Sequence, residues 1–142
     1  MLRVSDLRRE LQPTLEAIDK LCVEFQIWRE AACAEVDAFA AELLLREALT
    51  NSVVHGCSGD LHKRICCVFR AKRGRLLIGV QDQGTGFDWR ARWDLQAEPT
   101  DTHGRGIEIF RRYAEAVRFN SKGNSVMLIK RFREVSGTRG NF

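Results

Sequence analysis

The spacing of apolar positions changes several times along the chain, and each change marks an element. From about Pro13 they fall at Leu15, Ile18, Cys22 and Phe25, the three-to-four spacing of one helical face. Pro13 suits the first helical position, where a missing N–H costs nothing. Leu7 and Leu11 continue that stripe, so the same pattern predicts a helix that starts earlier and kinks at Pro13. A second helix is predicted from Asp37 as N-cap to Gly56 just past the end, with Ala40, Leu44, Ala48 and Asn51 along one side. Arg64–Arg70 and Leu76–Asp82 are apolar and β-branched runs around Lys72-Arg73-Gly74-Arg75, which reads as a hairpin. Asp82-Gln83-Gly84-Thr85-Gly86 ends the second strand abruptly.

Asp88–His103 has no sustained period and holds Trp89, Trp93 and Pro99. Unpatterned connections of that length are lids or binding loops. A third helix is predicted to open at Gly104-Arg105-Gly106 with Ile107, Phe110, Ala114 and Val117 on one side. Arg118–Asn120, the turn Lys122-Gly123-Asn124 and Ser125–Phe132 then read as a closing hairpin, with a polar tail over about 134–142. This order predicts an α+β two-layer sandwich, with helices on one face of a mixed, mostly antiparallel sheet. With no repeat, low-complexity tract or linker, residues 1–142 read as one domain.

Composition narrows the class. The chain has 142 residues, 44% hydrophobic and 30% charged, the profile of one soluble globular domain. Runs such as Ile65–Phe69 fall far below the ~18 residues of a membrane span, and Met1–Glu10 lacks a signal peptide's apolar core, so a cytoplasmic, membrane-free protein is expected. The five cysteines show neither CxxC pairing nor a histidine at zinc-ligand spacing and read as buried free thiols. The net charge of +4 comes from scattered arginines rather than a basic stripe, which argues against direct nucleic-acid binding and leaves a phosphate-bearing or acidic partner open.

Three segments can carry chemistry. Glu47 and Asn51 lie one turn apart on one helical face. They are either a locally bonded surface pair or a carboxylate base beside an oxygen ligand for Mg²⁺, a cation that keeps several waters and needs few protein oxygens. Asp82, followed by Gly84 and Gly86, is either a plain Asp-Gly turn or a strand-end carboxylate that accepts from an exocyclic amine where glycines let the backbone come close. Gly104-Arg105-Gly106 is either a tightly packed helix start or a phosphate site made of free amides and a guanidinium fork. Neither glycine pair completes a dinucleotide fingerprint, and no P-loop is present.

Taken together, Glu47-Ala48-Leu49-Thr50-Asn51-Ser52-Val53-Val54-His55-Gly56, Asp82-x-Gly84-x-Gly86-Phe87 and Gly104-Arg105-Gly106-Ile107 resemble the three nucleotide-binding boxes of the GHKL ATPase superfamily. Within it the chain looks most like the anti-sigma-factor serine/threonine kinases, over about residues 18–130, including the ending Gly123-Asn124-Ser125-Val126-Met127-Leu128. The resemblance implies a Bergerat-type sandwich that binds ATP and Mg²⁺. By position, Glu47 would be the general base, Asn51 the metal ligand and Asp82 the adenine-reading carboxylate. Gly84, Gly86, Gly104 and Gly106, with Ile107, would flank the nucleotide and its lid over about 88–103. Arg105 would lie near the phosphates, and Ser125 would stand where a hydroxyl assists adenine recognition. His55 is expected to end the helix, and His103 replaces a lid glycine.

The function this implies is an ATP-dependent serine/threonine-protein kinase that acts as an anti-sigma factor and phosphorylates a STAS-type antagonist in a partner switch, with a sigma factor as the competing partner and a homodimer as the assembly. The alternative is a nucleotide-binding module that sequesters a regulator with little or no catalysis.

Overall fold

The computed structural model describes residues 4–86 and 105–132. In chain order these form β1 (Leu7–Leu11), α1 (Leu15–Ala32), α2 (Ala38–Asn51), a π-helical turn (Ser52–Cys57), β2 (Ile65–Lys72), β3 (Arg75–Asp82), α3 (Arg105–Tyr113), β4 (Ala116–Phe119) and β5 (Ser125–Arg131). The five strands make one sheet in the order β1-β2-β3-β5-β4. All four pairings are antiparallel, so the sheet is not mixed as expected, while the α+β sandwich is as read.

Side-chain caps start both long helices. Thr14 Oγ1 accepts from Ala17 N–H at 3.1 Å and Asp37 Oδ1 from Ala40 N–H at 3.1 Å, each satisfying an amide that has no partner in the first turn. Pro13 therefore lies before the cap, not at the first helical position. Leu15 is 72% exposed, so the buried stripe of α1 is Ile18, Leu21, Cys22, Phe25 and Trp28.

Leu7 and Leu11 correct the expected early helix. They belong to a strand in which Leu7 pairs with Phe69 and Leu11 with Ile65. A spacing of four fits a period of two as well as one of 3.6. Val117 is a second correction: it sits in β4 opposite Leu128, not on α3. At the β2–β3 turn, Arg73 and Gly74 have φ of 53° and 74°, the doubly left-handed backbone of a two-residue hairpin that matches strand twist.

Alternation fixes the sheet's register. Ile65, Cys67 and Phe69 are buried while Cys66 and Arg70 are exposed, and a one-residue slip would exchange those faces. Cys66 thus departs from the expectation of buried thiols, which Cys22, Cys33, Cys57 and Cys67 meet. The core lies between sheet and helices: Leu44, Leu45 and Leu49 of α2 join Phe25, Phe69, Ile78, Leu128 and Phe110. Phe25 meets Phe69 edge-on at 4.8 Å, and Trp28 lies 5.9 Å from Phe69. Trp28 also satisfies its indole N–H on Ser5 C=O at 2.8 Å, which ties the N-terminal segment to α1. Among the described residues no helix is long and apolar enough to cross a membrane.

Candidate functional site

Helix α2 passes through the core with Ala48 and Leu49 buried, which leaves Glu47 and Asn51 at the side where α3 begins. Gly106, in the first turn of α3, sits directly over this pair. A Cβ there would stand 3.0 Å from Asn51 Nδ2, 3.4 Å from Asn51 Oδ1 and 3.3 Å from Glu47 Oε2. Any side chain at that position would occupy the space in front of the carboxamide. Burial raises the Glu47 carboxyl above its ordinary range, because a low-dielectric setting penalises the charged form. A carboxylate so held is a better proton acceptor than one in water.

Beyond Asn51 the helix widens by one residue per turn instead of stopping, and it closes only at Ser58, whose φ is 48° and whose N–H donates to Val53 C=O at 3.1 Å. Gly56 is therefore not past the helix end but inside the widened turn, which carries Gly56 and His55 toward the end of β3. Such π-turns are often found at functional sites. A Cβ on Gly56 would fall inside the Asp82 carboxylate, and a Cβ on Gly84 would fall into the Gly56 backbone. The three residues fit only because two of them are glycine.

Asp82 is 7% exposed. Its Oδ1 accepts from Gly84 N–H at 2.7 Å. Its own N–H donates to Asn124 C=O at 2.9 Å, and its C=O accepts from Asn124 Nδ2 at 3.0 Å. Gly86, at φ 88°, packs against Lys122 C=O with no room for a side chain. The strand end, the glycine turn and the β4–β5 turn thus lock together around one carboxylate.

These elements line one cleft. Val80, Phe110, Phe119 and Val126 give it apolar walls, and Asn51, Ser52, His55, Asp82, Asn124 and Ser125 line its polar ends. An apolar slot that holds a carboxylate has the chemistry to read a planar heterocycle bearing an amine, and the α3 start, where Gly106 meets Asn51, offers amides to an anion. Among the described residues no group of three His, Cys, Asp or Glu could hold a metal ion. A cation beside Asn51 would take its other ligands from phosphate and water, which fits Mg²⁺.

The fold brings Asn51, Asp82, Gly86 and Ser125 to one cleft, with Glu47 and Gly106 at its edge and Gly84 packed behind Asp82. The Ile107 side chain goes elsewhere: it is 4% exposed and belongs to the core, so it has no surface to give a ligand. Arg105 is the first residue of α3. Gly104, the lid over about 88–103 with Trp89, Trp93 and His103, and the tail over about 134–142 lie outside the described residues. His55 lines the cleft instead of merely ending a helix. Sequence reasoning gave Gly56 only the end of a helix and gave Asn120 and Asn124 no part in the site, although Gly56 and Asn124 fall within the motifs, because a glycine or an asparagine at a segment end is what any turn would carry.

The family described as "histidine kinase-like ATPase domain" matches residues 11–130. Among solved structures the chain is similar to the histidine kinase domain of the blue-light-activated histidine kinase from Erythrobacter litoralis EL346, at 22% identity and a TM-score of 0.50. That match covers 67% of this chain and 44% of the other, and it bears on fold alone. No curated protein matches the chain.

Proposed function

We propose a function from one premise: the chain belongs to the histidine kinase-like ATPase family, whose domains bind ATP. In this reading the adenine enters the apolar slot with its exocyclic amine on Asp82, and the phosphates lie toward the start of α3. Asn51 holds Mg²⁺, which when bound offsets phosphate charge. Phosphoryl transfer asks a protein mainly for positioning, charge neutralisation and a base for the attacking hydroxyl.

The protein's own groups divide that work. Asp82 and the glycines around it orient the base, and Gly106 keeps the space before Asn51 open. Glu47 takes the proton from the acceptor hydroxyl as its oxygen attacks the γ-phosphorus and the bond to the β-phosphate oxygen breaks. The acceptor in this reading is a serine or threonine of a STAS-type anti-sigma antagonist. Its unphosphorylated form competes with a sigma factor for this protein, so phosphorylation switches partners by adding charge. The setting is the cytosol.

One observation supports the kinase reading over that of a passive nucleotide module: a desolvated carboxylate, Glu47, stands one turn from Asn51, which lines the cleft. A module that only binds has no use for a base there. The test is transfer of label from γ-labelled ATP to a candidate STAS protein. Glu47→Ala should lose transfer while keeping nucleotide binding, and Asn51→Ala should lose the magnesium-dependent part of binding. Transfer by Glu47→Ala at the wild-type rate would overturn the assignment of the base.

A further inference from the structure

Outside the residues just assigned, the β4–β5 turn carries a connected set of polar bonds, and it centres on Asn120. Its Oδ1 accepts from three successive amides, Gly123 at 2.8 Å, Asn124 at 3.0 Å and Ser125 at 3.2 Å. Its Nδ2 donates to Asn124 Oδ1 at 2.6 Å. That bond fixes which way the Asn124 amide faces, because an oxygen held toward Asn120 leaves the Nδ2 hydrogens to point the other way. There they meet Asp82 C=O at 3.0 Å, while Asn124 C=O accepts from Asp82 N–H at 2.9 Å.

We propose that Asn120 and Asn124 are positioning residues that set the place of Asp82, and with it the selectivity for the nucleobase. Asn120 is exposed and stands behind the lining residues Gly123, Asn124 and Ser125 whose amides it holds, whereas Asn124 lies in the cleft wall and bonds the Asp82 backbone. The same turn presents Ser125 to the cleft and carries Lys122 C=O, on which Gly86 rests. One exposed amide side chain therefore shapes the turn that holds the Asp82 backbone and abuts Gly86. Sites that read a ligand by hydrogen bonds tolerate displacements of only about 0.5 Å, so loosening the turn damages recognition before it damages folding. Water can replace the turn's bonds at Asn120, which keeps the cost in stability small.

This inference rests on the nucleotide reading above. Its test is calorimetric titration of the wild-type chain, Asn120→Ala and Asn124→Ala with ATP and with GTP, each with magnesium, alongside urea denaturation. The wild type should prefer ATP. Each variant should lose about three- to tenfold in ATP affinity, the value of one hydrogen bond, with GTP affinity and urea midpoint unchanged. A wild-type ratio of ATP to GTP affinity in both variants would overturn the positioning role. So would an equal loss for the two nucleotides together with a lowered midpoint, which marks a merely structural role. Absence of ATP binding by the wild type would instead overturn the nucleotide reading itself, and this inference with it.

Discussion

Gly56 and Asp82 occupy space that only one of them can fill with a side chain: a methyl group on Gly56 would coincide with the Asp82 carboxylate. The relationship links the widened turn after α2 to the end of β3. Replacing Gly by Ala within a helix ordinarily gains about 1 kcal/mol. Here the added methyl must displace a buried carboxylate that is held by Gly84 N–H. Gly56→Ala is expected to lower stability by about 1–3 kcal/mol, the range of overpacking, and to abolish adenine-nucleotide binding. Urea denaturation and nucleotide titration check the two effects separately.

Gly106→Ala should behave differently. Its Cβ would stand 3.0–3.4 Å from the ends of the Asn51 and Glu47 side chains, which can yield by a few tenths of an ångström. The helix gains up to ~1 kcal/mol in propensity, so stability should hold or rise. Magnesium-nucleotide affinity should fall severalfold as the methyl fills the space before Asn51. Unchanged affinity for the magnesium complex would mean that this space is not where the metal and phosphates sit.

The Glu47 carboxyl titrates above its ordinary range because burial disfavours its charge. A raised folded-state value means that the folded protein binds more protons than the unfolded chain over that window. Stability is therefore lost as pH rises from the unfolded carboxylate value through the folded one. Glu47→Gln removes the buried charge. It should be more stable than wild type at about pH 8 and converge with it near about pH 4, in urea titrations at the two pH values. Phosphoryl transfer by the wild type should rise over the same window and then level off, and the variant should show neither phase.

Phe69 meets both Phe25 and Trp28 and is fully buried. Phe69→Ala is expected to cost about 3–5 kcal/mol in urea denaturation. Trp28 fluorescence should shift to the red as its pocket admits water.

Much of this was legible in the sequence where two signals coincided. Asp37 announced α2 because a capping side chain preceded an apolar helical face, and Arg73-Gly74 announced the hairpin because a turn separated two β-branched runs. The convergence of Glu47, Asn51 and Asp82 was readable only as a resemblance, since nothing in periodicity says that residues so far apart in sequence meet. Leu7–Leu11 misled because its spacing satisfies helix and strand alike, and what decides is Leu7 and Leu11 docking beside Phe69 and Ile65. Gly56 misled for another reason: a glycine after a helical run signals an end, and only the side chain of a distant Asp82 explains why it lies inside the turn.

The cleft draws its walls from the α2 end, the β3 end and the β4–β5 turn, so no contiguous fragment of the chain owns it. A peptide clipped before β4 would keep Glu47, Asn51 and Asp82 yet have no floor beneath the base. Occupancy and completion of the fold are thereby thermodynamically joined: a ligand at a hundred times its dissociation constant adds about 2.7 kcal/mol to the intact form. Proteolytic lifetime should accordingly lengthen as nucleotide is supplied, which makes the small molecule the last fastener of the architecture.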